Sequence, residues 1–280
     1  MKRVITKNII EEFIIYLKRE EKCKNTIEKY IRDVRSFCSY LYGREITKER
    51  VIEYKEKLSS ENYAVRSINS MLASLNSLFT FLNWLDCKVK YIKFQRQIYC
   101  SDEKVLTKAE YIRLVNTASQ KNNERLGLII QTICGTGIRV SELQYITVEA
   151  VKCGEAVVSL KGKIRSVFIV RKLRKKLLRY ATEQKISTGA IFITRSGKTI
   201  SRSNIWREMK GLCMQADVNP QKVFPHNLRH LFARTFYGIE KDIVKLADIL
   251  GHSSINTTRI YIITSGNEHR QRMENMRLII

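Results

Sequence analysis

His226 and Arg229, in Pro225-His226-Asn227-Leu228-Arg229-His230, stand three residues apart. On a helix this spacing puts an imidazole and a guanidinium on one face, one turn apart, able to grip a single phosphate together. A solvated or capping pair uses the same spacing. His226 and His230 have the i, i+4 spacing of metal ligands, but no acidic residue stands between them as in H-E-x-x-H, so a metal site is not expected. Arg139 follows the break Gly135-Thr136-Gly137, where a helix is expected to start and its free amide N–H groups also favour an anion. An ordinary surface arginine near a cap has the same surroundings. Lys161 falls at the tip of an expected hairpin, where lysines are commonly just solvated. Tyr261 lies nine residues after His252, between Ile260 and Ile262, and a tyrosine in an apolar helix usually packs.

The chain that carries these residues has 280 residues and a formal net charge of +24. The excess is spread along it: 20 Lys and Arg against 12 acids in residues 1–100, and 31 against 15 in the rest. Both halves are therefore drawn to a polyanion, as in a protein that wraps nucleic acid from two sides. Membrane association is not expected, because no uncharged run approaches the roughly 20 residues of a span and the N-terminus lacks a signal-peptide core. Seven cysteines without a C-x-x-C pair imply reduced thiols in a cytoplasmic protein rather than a disulfide framework or zinc site.

The pattern of apolar residues predicts two regions. Ile10, Phe13, Ile14 and Leu17, then Tyr30, Val34, Phe37 and Leu41, repeat with helical period; further helices are expected after Thr47 and from Ser67 to Leu85. This is a helical bundle over residues 1–90. A basic, extended-looking linker follows over 91–104. Thr107 and Glu110 then form a capping box that opens the second region, 105–280. There the expected order is an apolar helix from Leu126 to Cys134, a helix from near Arg139 that also carries Glu142, and a β-hairpin pairing Val157–Leu160 with Val167–Val170. Helices from Lys172, Ile205, His226, Asp242 and Ile255 (to Ile262) follow. Pro220 and Pro225 punctuate the loop that aims His226.

Read in order, these residues resemble the tyrosine recombinase (phage integrase) family, whose motif is an ordered Arg, Lys, His-x-x-Arg, His and Tyr. The local frames agree as well: G-T-G-I-R-V-S-E-L around Arg139, P-H-N-L-R-H around His226 and Arg229, and L-G-H-S-S-I-N-T-T-R-I-Y from Leu250 to Tyr261. The resemblance spans nearly the whole chain. It implies a mainly α fold with a small β-sheet: an N-terminal helical core-binding (SAM-like) domain, then a mixed α/β catalytic domain ending in an exchange tail.

The resemblance also implies roles. Tyr261 would be the nucleophile, Arg139 and Arg229 the phosphate clamp, Lys161 the general acid, His226 the base for the tyrosine proton, and His252 a further phosphate donor. Glu142 would support the first arginine. The hairpin turn is about one residue shorter than in many relatives, so Lys163 rivals Lys161. No metal and no cofactor, ATP included, is expected, since the arginines already neutralise the phosphate and an aryl phosphate ester stays reactive. The implied partners are duplex DNA with inverted-repeat core sites and three further copies of the chain, joined in a tetramer when the apolar terminus Leu278-Ile279-Ile280 docks into a neighbour. The implied setting is the bacterial cytoplasm, at the nucleoid. The simple two-region layout fits a Xer-like recombinase serving integration, inversion or resolution. Two other readings share these features: a type IB topoisomerase, disfavoured by the bundle and the apolar tail, and a non-catalytic DNA-binding protein, disfavoured by the complete residue set.

Overall fold

The computed structural model describes residues 3–93, 105–160, 163–194, 196–261 and 273–276. The chain divides into two compact units, Met1–Arg96 and Gln97–Ile280, each with its own buried core.

The first unit is a helical bundle of α1 (Lys7–Arg19), α2 (Lys24–Leu41), α3 (Lys48–Ser60) and α4 (Val65–Phe81). Phe13, Leu17, Val34, Phe37, Leu72 and Phe79 are fully buried where the helical stripes meet. α4 extends only from Val65 to Phe81, shorter at its C-terminal end than its apolar content suggests. The basic segment after it is pinned to this helix. Asn76 donates to the carbonyl of Val89 at 2.9 Å and accepts from its N–H at 3.1 Å; Asn69 does the same for Ile92 at 2.9 and 2.8 Å. Two asparagines thus replace the neighbouring strand that an extended segment would otherwise need. Up to Ile92 the expected linker is therefore docked on the bundle; residues 94–104 lie outside those described.

The second unit contains α5 (Lys108–Gln120), α6 (Glu124–Thr136), α7 (Val148–Cys153), β1 (Glu155–Leu160), β2 (Lys163–Phe168), α8 (Arg171–Glu183), α9 (Arg202–Lys210), α10 (Pro225–Glu240), α11 (Ile243–Leu250) and α12 (Ile255–Arg259). β1 and β2 are antiparallel, with Leu160 opposite Lys163 and Glu155 opposite Phe168. Ala156, Val158 and Val167 face the core while Val157, Ile164 and Phe168 face out, the alternation of a sheet covered on one side. The capping box holds: Thr107 N–H donates to Glu110 at 2.7 Å, and Thr107 Oγ1 accepts from Glu110 N–H at 3.2 Å.

Further segments differ from the expectation. The second strand of the hairpin, expected over Val167–Val170, runs over Lys163–Phe168, so the turn between the strands is tighter. The helix expected from Arg139 is a short 3-10 helix, Val140–Tyr145, because Glu142 turns back onto Arg139 and draws the turn tight. α9 begins at Arg202 and ends at Lys210, short of Ala216. α12 stops at Arg259, so Tyr261 sits in the turn beyond it rather than within a helix running to Ile262.

Candidate active site

α10 is the platform. Pro225 occupies its first turn, where a missing N–H costs nothing. The preceding turn, Pro220–Lys222, is anchored because Lys222 donates to Glu110 at 3.0 Å while Asn227 donates to the Lys222 carbonyl at 2.9 Å. That fixes the start of α10, and one turn further in Arg229 enters the protein. Arg229 is 2% exposed. Its guanidinium donates to the carbonyls of Gly137 and, at 2.7 Å, Leu250. These close α6 and α11, and helix C-termini carry partial negative charge that suits a buried cation. Burial, then the charge of Arg139, lowers the Arg229 pKa to about 10, so it stays protonated at neutral pH. Its Nε has no hydrogen-bond partner among the described residues.

The second arginine is held by Glu142. Arg139 donates to it twice, from its backbone N–H at 2.9 Å and from Nη1 at 2.8 Å. Arg165 on β2, which has no place among the residues singled out by spacing, donates to Glu142 Oε2, the oxygen that also accepts the Arg139 N–H, at 2.6 Å and to the Ile249 carbonyl at 2.9 Å. Burial by itself raises the Glu142 pKa; bonds from Arg139 and the charge of Arg165 outweigh it and leave the carboxyl below its usual range. A buried carboxylate shared by two guanidiniums compensates charges that would otherwise repel. Gly251 is required beside it, since it has φ +64° and a Cβ there would strike the Arg165 side chain.

Tyr261 is 3% exposed and packs on Ala233, Leu246 and Leu250. Its ring is surrounded by three imidazoles, with centroids 5.5 Å from His226, 5.1 Å from His230 and 5.5 Å from His252, the last nearly parallel at 11°. His230 reaches the Ile260 carbonyl at 3.2 Å, tying α10 to the residue before the tyrosine. His252 lies 3.0 Å from Arg229 Nη2 and 2.9 Å from Thr258 Oγ1. Burial first, then Arg229 and Arg139, pushes His252 down to about 4. His230 also falls to about 4, chiefly through burial. His226 remains at the surface, yet desolvation by surrounding atoms and the charges of Arg229, Arg202 and Arg139 lower its pKa too.

Arg139, Glu142, His226, Arg229, His252 and Tyr261 are therefore gathered in one place, although 122 positions separate the first from the last. Lys161 lies outside the described residues, and of Lys163 only the backbone, at the start of β2, is described. An open cleft of about 620 Å³ runs over Arg139, Glu142, Arg165, Gly251, His252 and Thr257. A cleft of similar size, about 670 Å³ near Asn123, Arg125 and Tyr180, contains none of the site residues. Among the described residues no three His, Cys, Asp or Glu side chains are placed to hold a metal ion, and no helix is long and apolar enough to cross a membrane. Arg165, His230 and Thr258 are the residues the spacing did not reveal as site members. His230 stood out only as half of a metal-ligand spacing.

Residues 104–268 match the model of the phage integrase family, and residues 10–85 match the phage integrase N-terminal SAM-like domain. The chain belongs to the phage integrase family, the tyrosine recombinases. Like them it is a site-specific DNA recombinase. The tyrosine recombinase XerA of Pyrococcus horikoshii is 30% identical over 99% of this chain and 96% of its own. A XerA crystal structure aligns over 98% of this chain and 99% of that one, with 25% identity and a TM-score of 0.55. The Tn1549 transposon integrase, solved with transposon right-end DNA, has a TM-score of 0.72 at 16% identity over 95% of this recombinase and 98% of that chain, a likeness of fold.

Proposed function

We propose that this recombinase cuts and rejoins DNA through a covalent bond between Tyr261 and a scissile phosphate. The observation that carries the reading is the placement of the Tyr261 ring against three histidines, beside a buried Arg229 whose Nε has no hydrogen-bond partner among the described residues.

In-line attack of the Tyr261 oxygen on phosphorus builds negative charge on the non-bridging oxygens. Arg139 and Arg229 meet that charge with donors already held in place, one by Glu142 and the other by two helix-terminal carbonyls. His226, held neutral by its surroundings, is the group able to take the phenolic proton. Lys161 protonates the departing 5′-oxygen, leaving a 3′-phosphotyrosine, and Lys163 is the alternative donor. The 5′-hydroxyl of a second duplex then attacks the phosphotyrosine, so bond energy is conserved without ATP or a metal, and exchange of one strand pair gives a Holliday junction. Four copies act on two inverted-repeat core sites, linked through their C-terminal segments. Residues 1–90 bind the core, 91–104 link, and 105–280 catalyse and exchange the tail. The work is done at the nucleoid.

The test is adduct formation on a nicked duplex. Wild-type protein should form a denaturant-resistant complex equally well in EDTA and in Mg²⁺, and Tyr261→Phe should form none. No adduct with wild-type protein would leave only DNA binding. Relaxation of supercoils without joining of two sites would indicate a topoisomerase instead.

A further inference from the structure

His252 is held at both ring nitrogens. Nε2 lies 3.0 Å from Arg229 Nη2, and Nδ1 lies 2.9 Å from Thr258 Oγ1. A guanidinium has only N–H donors, so Nε2 must be the acceptor in that contact; the ring hydrogen is then on Nδ1 and is donated to the threonine hydroxyl. The edge that faces the two arginines consequently presents a lone pair, which repels a phosphate oxygen. A histidine that is to hydrogen-bond a phosphate must first acquire a hydrogen there.

Thr258 is 0% exposed, so no water takes over if its hydroxyl is removed. It also reaches the nucleophile, because its carbonyl accepts the N–H of Tyr261 at 2.9 Å. One side chain and one carbonyl of the same residue thus fix two groups that are nine positions apart.

We propose that Thr258 is the positioning residue for His252: its buried hydroxyl accepts from Nδ1–H and fixes the ring, while Nε2 accepts from Arg229 in the free protein and takes a solvent proton when a phosphate takes over that Arg229 hydrogen. The imidazolium then donates from Nε2 to the phosphate, in exchange for the bond from Arg229, and keeps its Nδ1 bond to Thr258. The proton comes through the open cleft beside His252. What disfavours it beforehand is burial and the charge of Arg229 on α10, Arg139 before the 3-10 helix and Arg165 on β2, with His226 adding a smaller effect. A phosphate monoanion between the arginines offsets that charge. Tyr261 stacks on the same ring and contributes no charge while it is a phenol.

The inference rests on the strand-transfer reading for its phosphate, and one of its two tests does not need DNA. In full-length protein with ¹⁵N-labelled histidine, long-range ¹⁵N–¹H spectra should show His252, assigned through His252→Asn, as Nδ1–H. Thr258→Ser should keep that Nδ1–H hydrogen-bonded and slow to exchange, and Thr258→Val should leave it fast-exchanging. The second test uses a nicked duplex whose sequence is recovered from covalent adducts of the wild-type protein on a randomised duplex pool. There Thr258→Val should slow single-turnover adduct formation at least tenfold with unchanged DNA affinity. Because it disfavours the imidazolium, it should also move the alkaline limb of the pH–rate profile to lower pH, and Thr258→Ser should restore both. A Thr258→Val variant whose Nδ1–H exchanges as slowly, or whose adduct forms as fast, as in the wild-type protein, or a Thr258→Ser variant as slow as Thr258→Val, overturns the proposal. If wild-type protein yields no adduct at all, the strand-transfer reading fails and the exchange of the His252 Nδ1–H alone decides the role of Thr258.

Discussion

Arg229 concentrates the electrostatics of the site into one side chain. Its fork spans the Gly137 and Leu250 carbonyls and His252, a span that the single ammonium of a lysine does not cover. Arg229→Lys should reduce adduct formation by at least about 100-fold, the scale of losing one preorganised donor set, while gel-shift affinity falls far less. Glu142→Gln removes the charge shared by Arg139 and Arg165; with Arg165 left buried beside Arg139, about 3 kcal/mol of stability should be lost in urea melts. The histidines predict a pH dependence. His230 and His252 titrate near 4 in the folded chain and near 6.5 unfolded, so between those values the unfolded state binds protons that the folded state does not. Their contribution is complete above about pH 6.5 and is lost as pH falls toward 4, by at most about 1.4 kcal/mol per pH unit for each and less for the partly solvated His252. The urea midpoint should be lower at pH 5.5 than at 7.5, and His230→Phe should flatten the difference.

At the scale of elements, the site is assembled where helices end. Gly137 closes α6 with φ +66°, and a Cβ there would come within 2.5 Å of Phe232 on α10. Gly137→Ala should therefore push α6 and α10 apart, costing about 1–3 kcal/mol and lowering adduct formation without any change to a charged group. The break Gly135-Thr136-Gly137 was plain in the sequence. That it faces Phe232 was not, because α10 is about ninety residues away along the chain. In the first unit, Asn76 carries both hydrogen bonds to Val89. Asn76→Ala should cost roughly 1–3 kcal/mol and remove hydrogen-exchange protection at the Val89 amide, since a buried carbonyl and N–H are left without partners.

For the whole molecule, charge and modularity set the expectations. Net charge is +24, and both stretches of chain carry an excess of Lys and Arg. DNA binding should fall steeply with salt, by roughly −0.9 in log–log slope per phosphate contacted; a flat response would contradict an interface of many phosphates. The two units possess separate cores, one around Phe37, Leu72 and Phe79 and the other around Ile129, Ile133 and Leu228.

Much was legible without coordinates. Helical periodicity marked α1 and α2, the capping box marked α5, and two short apolar runs around a turn marked the hairpin, though its second strand starts four residues earlier than expected; these follow from neighbours a few residues apart. The ordered Arg139, His226, Arg229, His252 and Tyr261 carried the family. Sequence alone could not show what surrounds them, because every decisive contact joins distant segments: Arg165 to Glu142, Arg229 to the end of α6, His230 to Ile260. An arginine in a hairpin strand and a threonine in a polar run have no local signal that separates them from surface residues. Only the fold, by withdrawing Arg165 and Thr258 from water, obliges each to satisfy a partner, and those partners are Glu142 and His252.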